Sequence, residues 1–200
     1  MIREKKKATG QIKAPAAKKK ATSAPKKTAT KSTKAAAPAK PGGTTTKLDA
    51  PRKAPAFSLP SDSGKNVSLA SLRGKNVVLY FYPRDNTPGC TLEAIDFSKA
   101  APQFKRLNTV VLGVSKDSIE SHCKFRDKYK LAIELLSDAD LKAHNAYGAY
   151  GEKNMYGKKV MGTIRSTFVI DDGGTLVKSF AGVKVAGHVD AVLDVLQSMK

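Results

Sequence analysis

Cys90 has the setting for chemistry in this 200-residue chain. It stands in YPRDNTPGCTLEAIDF, Tyr82 to Phe97, directly after a Pro-Gly turn and at the start of a helical pattern. A sulfur placed there meets the unpaired amides and the positive end of a helix, and both favour thiolate over thiol. Open α/β sheets also gather their ligand sites at the carboxyl ends of strands, where this loop must lie. Cys90 therefore reads in two ways, as a reactive thiolate or as a buried, inert cysteine. Thr87 and Pro83, in the same loop, read on their own as residues that cap and rigidify a turn. Glu93, one turn into the helix, either favours the helix N-terminus or joins a polar network. The second cysteine, Cys123, lies in SIESHCKFRDKYKL. On a helical wheel Ile119, Phe125 and Tyr129 cluster and Cys123 sits about 100° to one side. At that margin it is either a reachable thiol or a small residue filling a gap. A dithiol oxidoreductase needs a C-x-x-C pair; the positions three away from Cys90 hold Thr87 and Glu93, which excludes that class.

The elements that must position these residues follow from periodicity. Asn76 to Tyr82 (NVVLYFY) is apolar on both faces and ends at Pro83, as a central strand of a covered sheet would. Thr109 to Ser115 and Ser166 to Asp171 read the same way. Asp171, Asp172, Gly173 and Gly174 then supply a turn into TLVKSF, which makes the last two strands a hairpin. Helical patterns cover Thr91 to Leu107, with a break predicted near Ala101 because of Pro102. Further helices are predicted over Asp117 to Tyr129, capped by Asp117 or Ser115, over Asp138 to Tyr147, and over His188 to Met199. The result is an α/β layered domain.

These residues resemble a known family. Pro83, Thr87 and Cys90 fit the P-x-x-x-T-x-x-C motif of the peroxiredoxins, and FYPRDNTPGCTLEAIDF is similar to the bacterioferritin-comigratory or Q-type subgroup. The resemblance spans residues 50 to 200 and includes GTIRSTFVID, where Arg165 matches the active-site arginine. It implies a thioredoxin-like fold, a central mixed β-sheet flanked by helices. It also implies reduction of hydrogen peroxide and organic hydroperoxides without a cofactor, electrons from thioredoxin or a similar thiol, and a monomer. In that role Cys90 attacks the O–O bond as thiolate and becomes a sulfenic acid. Arg165 would stabilise the thiolate and then the leaving oxygen. Thr87 would accept from the peroxide with its own proton facing the sulfur, and Pro83 would shape and shield the loop. Read without the resemblance, Arg165 is an ordinary arginine at a strand start.

One departure stands out. Many members carry a second cysteine five residues after the first, and here that position is Ile95. Cys123 is the remaining candidate for a resolving thiol, as some relatives place it on this later helix; the rival is a one-cysteine cycle reduced by an external thiol. His122, His144 and His188 share no metal-site spacing and are expected at solvated helix positions. Gly151 to Gly162 (GEKNMYGKKVMG) has no phosphate-loop spacing and reads as a mobile loop leading to Arg165.

Charge divides the chain. Of 36 Lys/Arg and 17 Asp/Glu, residues 1–48 hold 14 basic residues and one acid, Glu4, a net +13, which leaves +6 for residues 49–200. The first segment has no aromatic residue and consists largely of Lys, Ala, Thr and Pro. Such a composition cannot offset the entropy of ordering, so a disordered basic tail is expected ahead of the folded domain. Its Lys residues suit sequence-blind contact with DNA, RNA or another polyanion; the alternative is a solubilising extension. No apolar run reaches the ~20 residues that cross a bilayer, and no apolar stretch follows the basic start, so neither a membrane span nor a secretory signal is predicted. Two cysteines without an export signal point to a reducing compartment. The cytoplasm is the expectation, with the nucleus as the alternative in a eukaryote.

Overall fold

The computed structural model describes residues 51–155 and 158–199; the basic tail lies outside them. In chain order the strands are β1 (Arg52–Lys53), β2 (Ser58–Pro60), β3 (Asn66–Ser68), β4 (Asn76–Phe81), β5 (Thr109–Ser115), β6 (Glu134–Ser137), β7 (Tyr150–Met155), β8 (Lys158–Thr163), β9 (Ser166–Ile170) and β10 (Thr175–Ala181). The α-helices are α1 (Pro88–Arg106), α2 (Ile119–Tyr129), α3 (Lys142–Tyr147) and α4 (His188–Ser198). The main sheet has the order β1-β10-β9-β4-β5-β6. β4, β5 and β6 run parallel, and β9 lies antiparallel on the other side of β4 and hairpins into β10.

β4 lies in the middle of this mixed sheet, and its residues alternate between two cores. Val77, Leu79 and Phe81 face Phe57, Tyr147 and Phe168 on one side. Val78 and Tyr80, with Tyr82 just past the strand, face the other, among Phe97 and Phe104 of α1, Phe125 of α2, and Val192 and Leu196 of α4. A strand buried on both faces must be apolar throughout, as NVVLYF is. Each large side chain removed from water contributes about 1.5–3 kcal/mol. The register sets Tyr80 against Gly113 of β5. A Cβ at that glycine would come within 2.6 Å of the tyrosine oxygen. Only glycine lets this ring lie flat on the neighbouring strand.

Four expectations change. α1 starts at Pro88 and runs unbroken through Pro102. Pro102 is exposed, so the carbonyl it leaves unpaired, that of Ser98, is on the solvent side, where it can accept from water. Packing of Phe97, Ala100 and Phe104 on the opposite side holds the helix together. α2 starts at Ile119, and its N-cap is Ser118, whose hydroxyl accepts from the Ser121 amide. α3 starts only at Lys142, after a turn at Asp138–Leu141. Finally, Gly151 to Gly162 belongs to an antiparallel hairpin: β7 pairs with β8, with Gly151 opposite Gly162. The two residues of its tip, 156–157, lie outside the described residues. Among the described residues no helix is long and apolar enough to cross a membrane.

Candidate active site

β4 ends at Phe81, and the chain turns through Tyr82–Asn86 into α1. Asn86 takes the left-handed conformation, φ 57°, one that asparagine tolerates better than most side chains. Thr87 is then the N-cap and Pro88 the first helical residue. Proline costs nothing there, because the N–H it lacks would have no acceptor, and its φ is already helical. Cys90 is the third helical residue. Its own amide is among the first-turn donors without an intrahelical acceptor, so the sulfur sits at the positive end of a 19-residue helix.

Arg165 reaches the same place from the other side of the sheet. β9 runs antiparallel to β4 with Ser166 opposite Phe81, which brings residue 165 to the carboxyl end of β4. Its backbone is held there: the Val183 amide donates to the Arg165 carbonyl at 3.1 Å, and the Ile164 amide to the Ala149 carbonyl at 2.8 Å. From this position Nη2 donates to Cys90 Sγ at 3.2 Å, and Nη1 donates to Glu93 Oε2. A planar, permanently charged fork can serve sulfur and carboxylate together. Gly89 lies against it: a Cβ there would sit 3.4 Å from Nη2, in van der Waals contact.

Glu93 thus joins the polar network, the second of its two readings. It is 1% exposed. Burial pushes its carboxyl up to about 7 from 4.5, even against the attraction of Arg165. Tyr80, wholly buried beneath, has its hydroxyl raised by burial and then by the charges of Glu93 and Cys90. Cys90 itself is only 2% exposed. A nearly buried sulfur beside a guanidinium, at a helix N-terminus, is equipped to act as a nucleophile toward a small polar oxidant.

The AhpC/TSA family profile matches residues 51–179 of this sequence. The chain belongs to the AhpC/TSA family. Bcp peroxiredoxins are among its relatives. A Helicobacter pylori bcp peroxiredoxin is 51% identical over 143 residues, which cover 72% of this chain and 94% of the relative. Bacillus subtilis peroxiredoxin Bcp is 45% identical over 146 residues, 73% and 93% of the two chains. Among solved structures, Xanthomonas campestris bacterioferritin comigratory protein, studied for its alkyl peroxide reduction activity, matches with a TM-score of 0.68 at 43% identity and covers 72% of this chain and 91% of its own. This peroxiredoxin is accordingly a peroxidase on a thioredoxin-like fold.

The other expected residues of the peroxiredoxin site are placed as follows. Thr87 Oγ1 donates to the Arg84 carbonyl at 3.0 Å. Its proton is committed to the loop and not to the sulfur, so the hydroxyl has only acceptor capacity left. Pro83 is half-buried between Tyr82 and the exposed Arg84. Cys123 is half-buried on α2, and its Sγ donates to the Asp62 carbonyl at 3.5 Å. Both cysteines are free thiols.

The histidines are not solvated. His122 and His144 are fully buried and His188 nearly so. His122 Nδ1 lies 2.9 Å from Asp85 Oδ2, and His144 Nδ1 lies 2.7 Å from Asp138 Oδ2. His188 Nε2 lies 2.8 Å from Thr167 Oγ1. Burial, and then the charge of Arg165, pull the His188 imidazole down to about 4, which leaves it neutral behind the site. Each ring offsets part of its desolvation with a hydrogen bond, although Nε2 of His122 and of His144 is buried without a partner, and no metal-type cluster occurs among the described residues. Sequence reasoning passed over Asp85 altogether. The only available signal was an acidic residue in the loop between Pro83 and Thr87, and apart from Tyr82 its partners, Asp117, Ser121 and His122, lie more than 30 residues away.

Proposed function

We propose that Cys90 is the peroxidatic nucleophile of this peroxidase, with hydrogen peroxide and organic hydroperoxides as substrates. The thiolate attacks one peroxide oxygen, the O–O bond breaks, and the sulfur becomes a sulfenic acid while the other oxygen leaves, after protonation, as water or alcohol. Arg165 stabilises first the thiolate and then the charge on the departing oxygen. Glu93 orients the guanidinium, Thr87 offers an acceptor to the peroxide, and Pro83 with the Asn86 turn shapes the approach. The observation that carries this reading is the 3.2 Å contact of Arg165 Nη2 with a sulfur in the first turn of α1. Cys90→Ser is expected to abolish peroxide consumption and leave the circular dichroism spectrum unchanged; substantial residual turnover refutes it.

Reduction of the sulfenic acid falls to Cys123, followed by thioredoxin or a similar dithiol, in the cytoplasm. Support comes from Cys123 being the only other cysteine in the chain and half-buried. Mass spectrometry without reductant, after one equivalent of peroxide, reads the outcome. An intramolecular Cys90–Cys123 bond supports the resolving role, and a persistent sulfenic acid supports direct reduction by an external thiol. Peroxide-dependent NADPH oxidation with thioredoxin and its reductase tests the donor.

A second reading concerns residues 1–48, with 14 basic residues and one acid ahead of the catalytic domain that begins at residue 49. This composition favours an arm that binds DNA or another polyanion through its phosphates and tethers the peroxidase nearby. A chain beginning at Asp49 is expected to keep its peroxide kinetics and lose retention on random-sequence duplex DNA. Equal retention of both chains, or retention insensitive to salt, removes this reading.

A further inference from the structure

The Asp85 carboxylate is nearly buried and is held from two directions. From its own side it accepts the Tyr82 hydroxyl at 2.7 Å. From α2 it accepts the Ser121 hydroxyl at 2.7 Å and faces His122 Nδ1 at 2.9 Å. Its backbone amide donates to Asp117 Oδ2 at 2.8 Å, and that same oxygen accepts from Ser115 Oγ at 2.8 Å. Burial alone would raise the carboxyl of Asp85, but hydrogen bonds from His122, Ser121 and Tyr82 outweigh it and hold the group below the ordinary carboxylate value. A buried carboxylate with this many donors is bound firmly, and taking donors away leaves an uncompensated charge in the interior.

The consequence comes from what else these segments carry. Asp85 lies between Pro83 and Thr87, in the loop that sets the first turn of α1 and Cys90. Ser121 and His122 directly precede Cys123 in the first turn of α2. Each sulfur is turned to its own partner, Cys90 to Arg165 and Cys123 to the Asp62 carbonyl. To meet Cys90, Cys123 must swing off Asp62, and its chain neighbours must then leave Asp85. We infer that Asp85 is a latch that joins the Cys90 loop to the start of α2 and gates delivery of Cys123. It is a positioning residue, without contact to the reacting sulfur. The gated step is the condensation of the Cys90 sulfenic acid with the Cys123 thiol: the S–S bond forms, the S–O bond breaks, and the oxygen leaves with the thiol proton as water. The inference rests on the resolving role proposed for Cys123.

Ser121→Ala tests it in the full-length protein. Ser121 is half-buried, its amide keeps the Ser118 cap, and neither group touches Cys90. Quenched-flow alkylation with mass spectrometry separates the two chemical steps. The expected result is an unchanged rate of Cys90 oxidation and roughly tenfold faster formation of the Cys90–Cys123 disulfide, from loss of one charge-assisted hydrogen bond. Hydrogen exchange is expected to quicken in residues 84–90 as well as 119–124, and Ser121→Thr, which retains the hydroxyl, restores the wild-type rate. A disulfide that forms at the same rate in both proteins overturns the latch and leaves the resolving role standing. A wild-type protein that holds a sulfenic acid on Cys90 and never forms the disulfide overturns both. Faster exchange confined to α2 also overturns the latch.

Discussion

Glu93→Gln separates the electrostatics of the site from its shape. The folded protein holds this carboxyl up to about 7 against an ordinary 4.5, because it is buried. A group whose folded value is raised contributes stability that is fully present below the unfolded value and is lost as pH rises through the folded one. Between pH 5 and pH 8 the loss for this residue amounts to about 2.5 kcal/mol. Glutamine does not titrate, yet its amide oxygen can still accept from Arg165 Nη1. Whatever constant difference the substitution introduces, the stability of the variant relative to wild type must therefore move by about 2.5 kcal/mol in the variant's favour over that range. With a urea slope of roughly 1.5–2 kcal/mol/M for a domain of this size, the gap between unfolding midpoints shifts by about 1.5 M. Equilibrium unfolding of both reduced proteins at pH 5, 6, 7 and 8 measures it. The histidines contribute equally to the two proteins and cancel. Parallel profiles would mean that Glu93 ionises like an exposed side chain, and the account of the site would fail.

Three more outcomes are expected. Arg165→Met slows oxidation of Cys90 by hydrogen peroxide about 10²–10³-fold in competition kinetics against a haem peroxidase; Arg165→Lys recovers little, since one ammonium cannot serve Cys90 Sγ and Glu93 together. A loss below tenfold would count against the role given to the guanidinium. Pro102→Ala raises the melting temperature by about 3–6 °C, because a restored N–H can bond the Ser98 carbonyl on the exposed face of α1, and an unchanged or lower midpoint refutes that account. His188, held neutral down to about 4 in the fold, contributes stability present above its unfolded value of 6.5 and lost as pH falls toward 4. His188→Gln should flatten the acid limb of the stability profile, and a limb as steep as wild type would show that this ring does not cause it.

The legible parts of the molecule are those governed by nearest neighbours in sequence. β4 was readable because a strand covered on both faces has to be apolar at every position. The place of Cys90 in the first turn of a helix followed from the Pro-Gly pair before it. Arg165, 75 residues from Cys90, was readable only through resemblance, since no local pattern distinguishes a guanidinium aimed at a sulfur from one in water. The histidines failed for the same reason: Asp85 and His122 are 37 positions apart and Thr167 and His188 are 21 apart, so their shelter is a property of the fold. At Pro102 the local rule was sound, but its penalty depends on whether the orphaned carbonyl meets water. Gly151 and Gly162 suggested a loose segment, whereas they face each other across a β-ladder.

Beneath Cys90 the rings of Tyr82, Tyr80 and Phe97 form a continuous pile, with centroids 5.5 and 4.7 Å apart. The chain contains no tryptophan, so its absorbance near 280 nm comes from tyrosine, and these two chromophores sit in an asymmetric, water-free environment. The near-ultraviolet circular dichroism of the native protein therefore carries a signal from the ground under the sulfur, alongside that of Tyr147 in the opposite core, and needs no attached dye.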